Sequence, residues 1–482
     1  MILNNLFQKT FIKIYVIITF FLIFFFLWYI TGKIPGASLG DEVYYSEVGF
    51  SILKYKTFSY NMRPDILGSN IIDFTYPVQA LLQYVSFKSF GVSQFSMMFI
   101  SQFFLSLLIF INFLHASKKK SGLVLSIIFS ISFLYVPELT KFFLRVRPEI
   151  VYIFITFLQI YLLNNFSKNK NTEKISFFLV GILSIVNVIT YYSFLPIFFI
   201  FTILLLVFFS NKNSFIINLF YSGIGSVIVI SIFLAWIYPD FNFFIEQNIS
   251  KADAKYNTGQ STLNDNNKAL ISLFFILLIT ILLLKYNLSN KSKFYCFSII
   301  LFLCGFIFSN FHYAICILLF SYLVLELIYE KRSKSISNII SIYFITSFHL
   351  TLIIFYLLFS KASPENRNYN NLIKLVEKDI DYSRKVATDR TGWLLLREKT
   401  KKDQLIEIVK LSGGDRNSVI PILFDADKFK SFSSVIISTY YFSSFSKEYK
   451  RFSLFLMNDK NCIRNQYGEK PYSIFLFKCK NL

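Results

Sequence analysis

An α-helical polytopic membrane protein with a small α/β domain at its C-terminal end is the fold class that the sequence predicts, and three observations carry it. Hydrophobic residues make up 55% of the 482 residues and charged residues only 16%, with a mean hydropathy of +0.54. Apolar runs of about 20 residues, long enough to cross a bilayer as helices, recur from the N-terminal region to residue 360. Beyond 360 they give way to short strand-like runs among polar, turn-forming residues.

The first run, FIKIYVIITFFLIFFFLWYI at 11–30, is too long for the apolar core of a cleaved signal and reads as a retained span. Further spans are predicted near 94–115, 121–137, 150–166, 175–192, 193–210, 214–238, 269–286, 294–310, 312–329 and 336–360, about eleven in all. The segment YPVQALLQYVSFKSF at 76–90 is short and polar for a span, and apolar enough to lie in the membrane interface.

Basic residues in short connections collect on the cytoplasmic side. Lys9 and Lys13 flank the first span. Crossing alternately from there, the inner turns contain Lys118, Lys119 and Lys120, then Lys168, Lys170 and Lys174, then Lys212, then Lys285, Lys291 and Lys293, then Lys331, Arg332 and Lys334. Every inner turn is basic, so the N-terminus is expected in the cytoplasm and the C-terminal part outside a plasma (inner) membrane. Residues 1–360 then form a transmembrane domain with outer loops at 31–93 and 239–268, and residues 361–482 an extracytoplasmic domain. That domain is expected to have a helical stretch near 370–410 and strands at VIPILF, SVIIS and SIFLF.

The net charge of +21 has a use in these loops, and the richness in Phe, Ile, Asn and Lys is a bias of the whole chain, so nucleic acid is not an expected partner. Cys296, Cys304 and Cys316 lie in apolar runs as small hydrophobes. Cys462 and Cys479 fall in the polar tail across a turn, and a disulfide between them needs an oxidising compartment.

Ion-coupled transporters usually need ionisable groups at mid-membrane depth. Here Glu326 is the nearest case, toward an inner end, and there is neither an internal repeat nor a matched pair of broken helices. The carboxylates gather at the outer face instead. Asp41 and Glu42 follow the first span in GDEVYYSEVGF, and LTKFFLRVRPEIVYIF at 139–154 places Lys141, Arg145 and Arg147 before Pro148 and Glu149 at a span start. Proline suits a first helical turn because its missing N–H has no partner to lose there, and Glu149 meets the positive end of the helix dipole. Capping by Asp41 and dipole compensation by Glu149 would each be worth about 1 kcal/mol. They do not account for two acidic sites and a basic cluster on one rim. Transfer of a sugar from a phosphate leaving group to a hydroxyl needs both, a carboxylate to take the acceptor's proton and cations to stabilise charge on the departing phosphate.

The order of first span, Asp41-Glu42 with tyrosines, the aromatic-proline stretch TYPVQALLQYVSFKSFGVSQFS (75–96) and Arg147-Pro148-Glu149 resembles the membrane glycosyltransferases of the GT-C class. Within that class it is most similar to the protein O-mannosyltransferase and lipid A aminoarabinose transferase group, over roughly residues 1–200. The resemblance implies a GT-C-like fold, a polyprenyl-phosphate sugar donor, and a glycan, lipid or protein acceptor, with membrane lipids around the bundle. It makes Asp41 the catalytic base with Glu42 beside it, Glu149 the second acidic residue, and Arg147 its partner. His312-Tyr313 is similar to a family segment that approaches the donor phosphate. Arg145 and Arg63, in NMRPDILG, are further candidate phosphate contacts.

The chain departs from the family pattern in having Tyr76-Pro77 where two prolines are usual, and Thr190-Tyr191-Tyr192 where a lysine often follows the threonine. Some members hold a divalent cation near the donor with an acidic residue and a histidine. His115, His312 and His349 offer no clear metal cluster, so no metal ligand is assigned. The loop at 239–268, opening WIYPDFNFF, suits either a lid over the donor or a plain connector. A flippase of lipid-linked glycans, or a glycan polymerase or ligase, would share the size and span count. The first should carry its charges in a central cavity, and the second lacks an early Asp-Glu pair.

Overall fold

A computed structural model of the protein describes residues 41–60, 71–72, 76–118, 146–166, 170–192, 195–242, 244–245, 262–308, 311–331, 375–388, 390–401, 404–407, 432–438, 462–467 and 474–479. The expected spans at 11–30, 121–137 and 336–360, the strand at VIPILF and most of the 239–268 loop lie outside these residues. The chain divides into two compact units. One comprises Met1–Ile30, Ser101–Ile245 and Gly259–Phe359, and the other Thr31–Ile100, Glu246–Thr258 and Ser360–Leu482.

In the second unit, helix α1 (Asp41–Tyr55) is followed by a short antiparallel ribbon, β1 (Ser59–Tyr60) with β2 (Ile71–Ile72), and by helix α2 (Pro77–Phe90). Proline at the first position of α2 costs no hydrogen bond. The expected interface segment at 76–90 is thus a helix, and Gln79, Gln83 and Ser86 turn inward: Gln83 donates to the backbone oxygens of Ser96 and Met97 at 3.1 Å each, and Ser86 to that of Ser96 at 2.6 Å.

The first unit is a bundle of apolar helices. It takes in most of α3 (Gln94–Lys118) and then α4 (Pro148–Phe166), α5 (Lys170–Thr190), α6 (Leu195–Phe209), α7 (Phe215–Ile237), α8 (Thr262–Lys285), α9 (Asn290–Phe308) and α10 (Phe311–Lys331). Among the described residues, four helical stretches are long and apolar enough to cross a membrane: Phe95–His115, Pro148–Phe166, Thr172–Thr190 and Phe215–Asp240. α4 is buried along most of its length, whereas α7 exposes Ile216, Phe220, Val227 and Ile232. An apolar face left uncovered on a long helix is what lipid tails solvate.

Small residues set the tightest crossing in the bundle. A Cβ built on Gly181 of α5 would meet the Ser222 backbone oxygen at 2.0 Å, and one on Gly225 of α7 the Phe178 oxygen at 2.3 Å. Close backbone approach of this kind replaces the hydrophobic drive that lipid surroundings remove. Neutral hydrogen bonds tie α4 to α5, from Gln159 to Ser184 at 2.8 Å and from Asn187 to Thr156 at 3.0 Å. Further polar contacts join helices: Lys291 donates to Asn164 at 2.7 Å and Asn164 to Tyr295 at 3.2 Å, and Tyr322 donates to Asn112 at 2.7 Å.

The C-terminal part of the second unit is a mixed five-stranded sheet in the order β4-β3-β5-β7-β6, made of β3 (Lys385–Thr388), β4 (Leu405–Glu407), β5 (Phe432–Ser438), β6 (Cys462–Tyr467) and β7 (Ile474–Cys479). The expected strands at SVIIS and SIFLF are β5 and β7. The stretch near 370–410 is not one helix, however: the short run KVAT forms β3, and among the described residues the longest helix there is α11 (Arg390–Lys399), before β4 pairs parallel to β3. Parallel neighbours require a crossover connection, and α11 supplies it. Asp379 accepts a hydrogen bond from Tyr467, which, with Lys478 at 3.5 Å, holds its carboxyl below the usual range.

Antiparallel β6 and β7 place Cys462 and Cys479 directly opposite each other in register. Backbones at such positions lie about 4.5–5.5 Å apart, within the reach of a disulfide. We expect these cysteines to be linked in protein isolated without reductant, stabilising the hairpin by roughly 3 kcal/mol for a loop of this size. Alkylation and mass spectrometry check this, and two alkylated thiols would contradict it.

Candidate active site

α1 opens at Asp41, so Asp41 and Glu42 occupy its first turn, where the helix dipole favours carboxylates. From Tyr45 to Ser51 the helix is buried on all sides. One side packs on α2: Tyr45 meets the Tyr76 ring edge-on at 5.0 Å, and a Cβ on Gly49 would lie 2.7 Å from the Gln83 Cβ and 2.9 Å from the Ala80 oxygen. Glycine is required at position 49 for that approach. The same unit covers another side with α11. Arg397 donates from Nη2 to Oε1 of Glu47 at 3.0 Å, and neither side chain is exposed to solvent. The guanidinium lies 5.4 Å from the Phe50 ring centre and 5.3 Å from that of Tyr55, and Trp393 meets Phe50 edge-on at 5.8 Å. The helix that Asp41 opens is therefore held by α2 and α11.

In the first unit, Val146 is buried, Arg147 precedes the helix, and Pro148 and Glu149 form the start of α4. Arg147 Nη1 lies 3.9 Å from Glu149 Oε1, with the side chains 16% and 5% exposed. A cation and a carboxylate held this far from water at a helix start carry a desolvation cost that function commonly explains. Tyr152, one turn along α4, is fully buried and meets the rings of Phe198 at 4.4 Å and His312 at 6.2 Å. His312 itself is fully buried in the first turn of α10, with Phe302 at 5.8 Å.

Of the residues that the sequence singles out, the structure brings Arg147 to Glu149, and it packs His312 on Tyr152 of the helix that Glu149 opens. His115 is elsewhere, stacked on Tyr322 at 4.4 Å, roughly 15 Å along α10 from His312. Arg63, Arg145 and His349, and the side chains of Asp41, Glu42 and Tyr313, lie outside the described residues. Among the described residues, no group of three or more His, Cys, Asp or Glu side chains is placed to hold a metal ion. Sequence reasoning passed over Tyr152, Glu47 and Arg397. Tyr152 was within reach of it, being one helical turn from Glu149. Glu47 carries a weaker signal, a lone carboxylate among apolar and small residues in YYSEVGFS.

No protein-family model matches the chain, and no curated protein does. The fold does have a likeness among solved structures. The crystal structure of ArnT from Cupriavidus metallidurans bound to undecaprenyl phosphate superimposes with a TM-score of 0.56 at 9% identity, over 96% of this chain and 97% of that one. The apo form of the same protein gives a TM-score of 0.49 at 8% identity, over 95% and 97%. The chain thus has the fold of ArnT, the lipid A aminoarabinose transferase of the GT-C class, which is the group its early motifs resemble.

Proposed function

We propose that the chain is an integral membrane glycosyltransferase that takes a sugar from a polyprenyl-phosphate donor and passes it to a hydroxyl of a glycan, lipid or protein at the outer face of the inner membrane. The acceptor oxygen attacks the anomeric carbon, its proton goes to the Asp41 carboxylate, and the carbon–oxygen bond to phosphate breaks with its electrons leaving on the polyprenyl phosphate. One displacement of this kind inverts the anomeric centre and needs no protein nucleophile. Arg147 stabilises the charge that grows on the departing phosphate, and Glu149 fixes its guanidinium. Arg145, Arg63, His312 and Tyr313 are assigned to the donor phosphate, and Glu42 to support of Asp41. The donor's hydrocarbon chain stays in the lipid that the exposed face of α7 implies.

The observation that carries this reading is the Arg147–Glu149 pair, almost buried at the start of an apolar helix, in a chain whose fold matches end to end a protein crystallised with undecaprenyl phosphate. Comparison of cells with and without the gene tests it: loss of the gene should raise one polyprenyl-phosphate sugar and remove that sugar from one class of surface glycan, lipid or protein. An unchanged set of both would overturn it.

The reading also requires the cytoplasmic N-terminus and outer C-terminal domain that the basic turns predict. Reporter fusions after Lys120 and after Asn366 should report opposite sides of the membrane, the first inside. If both report the same side, the assignment of spans is wrong.

A further inference from the structure

The helix that begins with Asp41 is joined to the C-terminal sheet domain by a buried ion pair. Glu47 on α1 and Arg397 on α11 are 350 positions apart in sequence, yet their charged ends meet at 3.0 Å with no exposure of either side chain. Nε and Nη1 of Arg397 are buried and have no hydrogen-bond partner among the described residues, so its described side-chain hydrogen bond runs through Nη2 to Glu47. The rings of Phe50 and Tyr55, both on α1, lie 5.4 and 5.3 Å from its guanidinium.

As a source of stability this is a poor arrangement. Desolvating two charges costs about as much as their attraction returns, and a well-packed apolar pair often does as well or better. What an apolar pair lacks is direction. A hydrogen-bonded guanidinium and carboxylate meet at one rotation and one height of the helix, whereas an apolar pair of similar volume has no fixed direction and tolerates small shifts. Glu47 lies roughly 9 Å along the axis from Asp41, and each residue turns the helix by about 100°. The rotation that keeps Glu47 on Arg397 therefore also fixes the direction in which Asp41 and Glu42 leave α1.

We infer that Glu47 and Arg397 are positioning residues: the C-terminal domain sets the rotation of α1 and so aims the base at Asp41. This rests on the glycosyltransferase reading for its consequence, although the pair itself does not. It gives the outer domain a part in the reaction without a catalytic group of its own.

Three variants of the full-length protein, Arg397→Leu, Glu47→Gln and the paired Glu47→Leu/Arg397→Met, are to be compared with the natural chain by amide hydrogen exchange and by transfer kinetics. The single variants leave a buried polar group behind and are expected to weaken the whole unit. The paired variant separates aim from packing. We expect it to restore exchange protection in β5 and β7, while amides of residues 45–55 exchange faster than in the natural chain. Its kcat should stay on the order of 10-fold to 100-fold low, with the donor KM little changed, as for a small misplacement of a reacting group. Normal kcat and normal protection of residues 45–55 in the paired variant would make the ion pair a packing element only and overturn the inference. Protection unchanged in all three variants would overturn it as well. If the natural chain transfers no sugar to any acceptor, the glycosyltransferase reading fails, and the exchange comparison still decides whether the pair fixes α1.

Discussion

Asp41→Asn is expected to fold and insert like the natural chain and to turn over on the order of 100-fold more slowly or worse, the scale of losing general-base catalysis. The substitution keeps the size of the side chain, and asparagine serves a helix start about as well as aspartate. Only a fraction of a kcal/mol of dipole compensation should go with the charge. The burial of Tyr45–Ser51 and the contacts with α2 and α11 hold α1 far more strongly than its first turn does. A residue that merely started the helix would behave in the opposite way. It would accept asparagine and suffer with alanine, at about 1 kcal/mol of helix stability. Transfer rates and melting temperatures of Asp41→Asn and Asp41→Ala, measured side by side, separate the two roles. Near-natural turnover by Asp41→Asn would move the base to Glu149 or Glu42.

Arg147→Met is the second large effect. If the guanidinium stabilises the departing phosphate, its loss should lower kcat on the order of 100-fold to 1000-fold, as the loss of a preorganised donor does elsewhere. Arg147→Lys should recover only part of this, since an ammonium keeps the charge and loses the planar fork. The variant also leaves Glu149, whose side chain is 5% exposed, without a cation 3.9 Å away, which should destabilise by a few kcal/mol. Adding Glu149→Gln to Arg147→Met removes that penalty. The double variant should therefore regain its melting temperature and remain inactive. Recovery of activity together with stability would show that Arg147 serves Glu149 and not the donor.

The start of α4 shows what a sequence can convey. Hydropathy marks the span because lipid demands apolar side chains, and proline marks its first turn because only there is the missing N–H harmless. A span read as 150–166 is Pro148–Phe166 in the structure, and one read as 214–238 is Phe215–Ile237. α8 begins at Thr262, before the apolar run expected from 269, because TLNDNNK is helical without being apolar. The sheet was harder to read. β7 lies between β5 and β6: its hairpin with β6 is local, but its pairing with β5 spans the stretch of chain from Ser438 to Ile474, which no local pattern encodes. The short run KVAT is hidden in a helical pattern because the amphipathic WLLLREK that follows it outweighs four residues in any local window.

The candidate site divides in the same way. Arg147, Pro148 and Glu149 are neighbours in sequence, so their chemistry was legible from spacing alone. The partner of Glu47 is 350 positions away on a helix whose own pattern looks like an ordinary amphipathic surface. Such a pair becomes visible only when both helices are placed, since a buried charge is recognised by its burial and by its counter-charge, neither of which a linear pattern contains.

Purified protein in vesicles, given polyprenyl-phosphate sugars labelled in both the sugar and the lipid together with acceptor from a cell-envelope extract, tests the central claim most directly. The account predicts that the two labels part: sugar appears on the acceptor with inverted anomeric configuration and polyprenyl phosphate is released, in natural protein and not in Asp41→Asn. Movement of the doubly labelled lipid from one leaflet to the other with its sugar–phosphate bond intact, at equal rates in both proteins, would contradict it.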